Sequence, residues 1–180
     1  AVANVPVSVA TLASLSDGTV PVSATITDVA GNVSAPSPVS SLTLDRAAPS
    51  APSITSVPEN NRAISAAEAS DGVIVTVSLS GDARAGDTLS VTINGSPTNV
   101  TLTATDISNG SVPVTIPNGT LPAADGTYSL TAQVIDAAGN TSAPSAPFDI
   151  TLDRGLPITP ATAPDMTAGT DSGVNTDDTT

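Results

Sequence analysis

Residues Asp28 to Asp45 recur as Asp136 to Asp153, and that repetition constrains what this chain can fold into more than any other feature. Asp17 and Asp125, Asn32 and Asn140, Pro36 and Pro144, and Asp45 and Asp153 each stand 108 positions apart, with no gap between them. A period of that length is a whole small domain, far longer than a solenoid turn of roughly 20 to 50 residues. Within each copy a Val/Ile/Thr-rich segment runs into Asp-x-x-Gly-Asn, then Ser-Ala-Pro-Ser, then an alternating segment ending in Leu-Asp-Arg. That order reads as strand, tight turn, strand, linker.

The 180 residues divide accordingly: 1–46 as the C-terminal half of one repeat, 47–154 as a complete unit, and 155–180 as a linker and the start of a further module. Val5-Pro-Val-Ser-Val9 aligns with Val112–Ile116, one residue out of register, and is expected to be a strand. In the complete unit, strands are expected at about 53–57, 73–80, 88–94, 99–104, 111–116, 127–135 and 143–152. Val73, Val75 and Val77 alternate with Thr76 and Ser78, and Leu89, Val91 and Ile93 with Ser90 and Thr92, as half-buried antiparallel strands do. Asn94-Gly95 signals a tight hairpin turn, and a short helical turn fits only 63–69. Seven short strands in one such unit predict an all-β protein, an immunoglobulin-like antiparallel β-sandwich in tandem repeats of about 108 residues. Tyr128, at the start of the sixth strand, is placed for a tyrosine corner, although the first copy has Val20 there. Val75, Val77, Leu89, Val91, Leu130, Ala132 and Val134 form the expected core.

With one Phe, one Tyr, no Trp and no Cys, that core is built from small aliphatics and has no disulfide to brace it. Seventeen acids against four basic residues give a net charge of −13, which argues against nucleic acid or an anionic membrane as partner. No apolar run of about 18 residues exists, so no direct membrane insertion is expected. The absence of His, Cys and Lys excludes Ser–His–Asp and Cys–His nucleophile systems and the usual zinc sets. A sugar-cleaving cleft wants aromatic walls that two rings cannot supply, so no enzyme is expected.

Fifteen of the seventeen acids are Asp, many beside Gly or Asn in expected turns. Asp there serves equally as a hydrogen-bonded turn former and as an oxygen ligand for calcium, and composition leaves the two readings level. Sandwich geometry adds to this, because it gathers Asp82, Asp87, Asp106, Asp136 and Asn140 at one pole, where Asp45 arrives from the preceding repeat. Glu68, Asp71, Asp125 and Asp153 collect at the other pole. Clustering at both poles favours calcium, with a junction site expected at Asp45, Asp136 and Asn140, completed by Asp82 or Asp106. Two other uses of a sandwich are a carbohydrate-binding module and a surface-binding ladder of Thr98, Thr101, Thr103 and Thr105.

Three stretches carry a resemblance: Ile64-Ser-Ala-Ala-Glu-Ala-Ser-Asp-Gly72, the Asp-x-x-Gly-Asn-x-Ser-Ala-Pro turns with their Leu-Asp linkers, and Thr170-Asp-Ser-Gly-Val-Asn-Thr-Asp177. In their order and spacing they resemble the tandem bacterial Ig-like extender domains of giant repeats-in-toxin adhesins, including biofilm-associated and ice-binding adhesins. The resemblance implies type I secretion and extracellular display on the bacterial cell surface. It also implies calcium at the domain junctions, stiffening a stalk. The partners it implies are neighbouring Ig-like domains of the same chain, with the adhesion ligand bound by another domain.

Overall fold

The computed structural model describes residues 5–57 and 62–156. The expected start of a further module, including Thr170–Asp177, lies outside the described residues. In chain order the elements are α1 (Val9–Ala13), β1 (Gly18–Val22), β2 (Ser40–Leu44), β3 (Ser53–Ser56), β4 (Ala63–Ile64), α2 (Ala66–Asp71) and β5 (Val73–Ser78). They continue as β6 (Thr88–Ile93), β7 (Ser96–Thr101), α3 (Ala104–Asn109), β8 (Ser111–Ile116), β9 (Gly126–Ile135) and β10 (Phe148–Leu152).

Two sheets face each other. One has the order β4-β10-β9-β6-β7 and the other β3-β5-β8, every pair antiparallel except β4 on β10. The core between them is one cluster of alternate strand residues, and Val75, Val77, Leu89, Val91, Leu130, Ala132 and Val134 are all buried in it, as their period of two requires. Asn94 and Gly95, both at positive φ, close the two-residue hairpin between β6 and β7, a conformation that Asn tolerates and Gly adopts without strain. The Tyr128 hydroxyl donates to the Ala124 carbonyl at 3.0 Å, which makes the expected tyrosine corner. Pro97 lies on the edge strand β7 and Pro113 on the edge strand β8, where a missing N–H weakens pairing with a further strand.

Three expectations give way to local chemistry. The strand expected at 99–104 is instead β7 followed by α3, because Thr103 and Asp106 form a reciprocal capping box that starts a helix. A second capping box, Ser65 with Glu68, starts α2 three residues past the beginning of the expected helical turn. Val5–Val9 is not a strand; a helical turn begins at Val9, and the described residues contain no partner for that segment comparable to β5, which pairs β8 in the complete unit.

A fourth correction concerns 143–152, where only Phe148–Leu152 is strand. Ser142, Ser145 and Phe148 are buried at a spacing of three, then Phe148, Ile150 and Leu152 at a spacing of two. Three is the period of a polyproline-type extended chain, which the Ser-Ala-Pro-Ser-Ala-Pro sequence favours. The Ser142 N–H donates to the Val134 carbonyl at 2.9 Å, and the Val134 N–H returns a bond to the Ser142 hydroxyl at 3.0 Å. Ser145 and Ala132 exchange the same pair at 2.8 and 2.9 Å. Serine hydroxyls thus stand in for the carbonyls that a three-residue advance carries out of register with β9.

Candidate junction site

Each Asp-x-x-Gly-Asn segment folds into a turn that its own side chains close. Asp136 Oδ1 accepts from the Ala138 and Asn140 backbone N–H groups at 2.9 and 2.8 Å, and its Oδ2 accepts from Asn140 Nδ2 at 2.9 Å. Gly139, at φ 93°, supplies the left-handed step that brings Asn140 back toward Asp136. The Asn140 amide, and after it the backbone N–H groups of the turn, hold the Asp136 carboxyl below the usual carboxylate range. Asp28 and Asn32 repeat the arrangement in the first copy, with Asn32 first among the groups lowering Asp28.

The linker from the first repeat lies against this turn. Asn140 Nδ2 also donates to the Asp45 backbone carbonyl at 3.2 Å, a contact across 95 residues. Five residues on, Asp82 Oδ2 accepts from the Ser50 N–H at 2.9 Å and the Ser50 hydroxyl at 2.8 Å, and the Ser80 hydroxyl donates to the Ser50 carbonyl at 3.2 Å. The hydroxyls of Ser80 and Ser50, with the Ser50 N–H, lower the Asp82 pKa to about 2. Linker, β5–β6 loop and β9–β10 loop together enclose a cleft of about 380 Å³ lined by Asp45, Asp82, Asp87 and Asp136, with Arg84 at its side. Arg84 bonds the Gly81 and Ala83 carbonyls at 3.0 and 2.9 Å, and its N–H is held by Asp87 at 2.8 Å.

Other acids singled out in the sequence have different work. Asp106 and Glu68 each accept from the backbone and hydroxyl of an N-cap residue, which lowers their pKa values; Asp106 does not line the cleft. Asp125 binds Arg154 through both the side chain, at 3.3 Å, and the backbone N–H, at 3.0 Å. Arg154 also donates to the Pro122 carbonyl at 3.0 Å. Asp17 and Arg46 make the same clamp in the first copy, with a 2.8 Å ion pair and a 2.6 Å bond from Arg46 to the Leu15 carbonyl. The repeated Leu-Asp-Arg carried that signal, and the charge count alone passed over it. Asp71 accepts from Ser70 at 3.4 Å, while Asp153 holds the Gly155 N–H at 3.2 Å and shares a shallow cleft with Glu68. The threonine ladder does not form: Thr98 pairs with Val91 on the core side of β7, Thr103 caps α3, and Thr105 lies within it.

The donors around the junction cleft suit calcium in kind, being carboxylate and carbonyl oxygens open to solvent. In spacing they do not converge: among the described residues no three acids stand close enough together to hold one ion. Asn140 turns its amide nitrogen, not its oxygen, toward Asp45.

A family model for a bacterial Ig-like domain matches residues 51–154, the stretch that forms this sandwich. The chain belongs to the bacterial Ig-like domain family. Among solved structures, this bacterial Ig-like chain is similar to a Ca2+-stabilized adhesin with which an Antarctic bacterium binds ice, at 28% identity and a TM-score of 0.42, over 76% of this chain and 32% of that one. It is also similar to a structure of a 1.5-MDa bacterial ice-binding adhesin, at 28% identity and a TM-score of 0.42, over 77% of this chain and 43% of the other. An immunoglobulin-like domain of the M. primoryensis ice-binding adhesin is covered in full, at 29% identity and a TM-score of 0.41 over 59% of this chain. The chain spans less than half the length of the first two, and the family match alone carries the assignment. No curated protein matches the chain. Among the described residues no helix is long and apolar enough to cross a membrane.

Proposed function

We propose that this chain is a structural extender segment, a stalk, of a bacterial cell-surface adhesin, which holds a binding domain carried elsewhere in the protein away from the cell. The observation that carries this reading is the docked linker. A bacterial Ig-like sandwich that grips the linker from its predecessor at both Asp45 and Ser50 is built to transmit direction along a row of repeats. Pro49 and Pro52 stiffen the same segment, since each fixes its own φ and restrains the residue before it. In this reading the functional surface of the segment is its two ends, and its partners are neighbouring Ig-like domains.

Calcium is the second part of the proposal. Residues 47–154 contain ten acids and three arginines, a net of −7, and three of those acids face one cleft together with Asp45 of the linker. Asp45, Asp82 and Asp136 would supply the carboxylate oxygens, with the Asp45 side chain swinging inward, since its own contact is a single bond to the Ala47 N–H at 3.1 Å. An ion there relieves repulsion between the carboxylates and ties linker to loop. At a free calcium concentration of 100 times the dissociation constant it adds about 2.7 kcal/mol to stability. Small-angle scattering in calcium is expected to show an extended rod, and a compact globule refutes the stalk. Melting in calcium against chelator tests the ion: the parent gains stability, Asp45→Ala with Asp136→Ala does not, and an unchanged parent removes calcium from the account.

A further inference from the structure

We propose that Asn140 and Asp82 form a latch that docks the incoming linker on the sandwich without any metal ion. The linker 45–50 is held at its first and last residues by loops that follow two different strands, β9 and β5. Two separated points fix a direction, whereas one fixes only a distance. At Ser50 the grip is complete, for its N–H and hydroxyl go to Asp82 and its carbonyl takes the Ser80 hydroxyl. At Asp45 the grip depends on how Asn140 is oriented. Asp136 Oδ2 takes one proton of the Asn140 amide, which leaves the other aimed at the Asp45 carbonyl. Turning the amide over to offer its oxygen to a cation would break both bonds, so Asn140 acts as a reader of the linker backbone.

The hydroxyl of Ser50 is part of the grip. Ser50 corresponds, 108 residues on, to Ile158, which has no hydroxyl to give. An Ile in place of Ser50 would keep the backbone N–H but lose the hydroxyl that Asp82 Oδ2 accepts from. This inference rests on the stalk reading for its purpose and is independent of calcium.

Amide exchange by NMR on the whole 180-residue chain in chelator is the test. The Ser50 amide should exchange about tenfold more slowly than in a free chain, as one charge-assisted bond provides. Asp82→Ala should abolish that protection while the β9 amides stay protected, which shows that the sandwich still folds. Asn140→Ala should raise the nanosecond mobility of residues 45–47 and leave β9 unchanged. A Ser50 amide that exchanges at the free-chain rate in the parent, or protection that survives Asp82→Ala, overturns the latch. Unchanged mobility in Asn140→Ala overturns the part given to Asn140. Protection in chelator together with a melting temperature indifferent to calcium leaves the latch standing and removes the ion; the opposite pair of results does the reverse.

Discussion

The two copies of the turn segment make the same local bonds in opposite surroundings. Asn32 Nδ2 lies 2.8 Å from Asp28 and Asn140 Nδ2 lies 2.9 Å from Asp136; the bridges Thr27–Val33 and Ile135–Thr141 also correspond. Ser34 and Ser37 bond to Ile26 and Ala24 just as Ser142 and Ser145 bond to Val134 and Ala132. Even the β1–β2 register, Gly18 opposite Leu44, is that of Gly126 opposite Leu152. Burial is where they part: Ile26 is 77% exposed and Val134 0%, while Val22 is 44% exposed and Leu130 0%. Hydrogen-bonded turns are thus a property of some twenty consecutive residues, whereas the hydrophobic term needs the strands β3 to β8 that only the second copy has around it.

The largest test of that contrast is in the core. Leu130→Ala should cost about 2–5 kcal/mol, because it leaves a cavity between packed sheets. The aligned change Val22→Ala should stay within about 0.5 kcal/mol, as at an exposed site. Denaturant midpoints of the two variants measure the difference, and equal losses would mean that the first copy has a core of its own in solution.

Next in size are the serine hydroxyls. Ser142→Ala removes the acceptor of the buried Val134 N–H and should cost about 1–3 kcal/mol. In Ser34→Ala, water can replace the hydroxyl at Ile26, so the expected loss is a few tenths of a kcal/mol. Thermal melts of the pair decide whether burial, and not the bond itself, sets the energy.

Acid should then separate the junction from the rest of the molecule. The folded pKa of Asp82 is depressed to about 2 from an ordinary 3.8, so its contribution is complete above pH 3.8 and is lost as the pH falls through 2. Ser50 amide protection should follow that window, and Asp82→Asn should flatten it. A loss centred near pH 6 would point to a different group.

The smallest expected effect is the clamp, and here the two copies should agree. Asp17→Asn and Asp125→Asn each weaken a partly exposed ion pair, so a small and similar drop in melting temperature is expected in either repeat. A much larger loss in the second copy alone would show that Arg154 supports the core, not only the chain end.

Much of this molecule was legible because its signals are local and repeated. The 108-residue register, the alternation in β5 and β6, Asn94-Gly95 and Tyr128 each name a conformation that neighbouring residues enforce. Other features used equally local chemistry that resembled something else. Thr103 and Asp106 looked like a strand end and a metal ligand because a capping box is written in the same residue types as both. The Ser-Ala-Pro triplets hid behind the alternation that follows them, although their spacing of three was present in the residues.

The sequence alone determined the sandwich, its core residues and the position of the Asp-x-x-Gly-Asn turns, since strand periodicity and turn chemistry act within a few residues. Only the tertiary structure decided what the acids face. Asp82 meets Ser50 and Asn140 meets the Asp45 carbonyl across 32 and 95 residues. A carboxylate has the same charge in the sequence whether it caps a helix, clamps an arginine or holds a linker, and the nearest donor in space settles which.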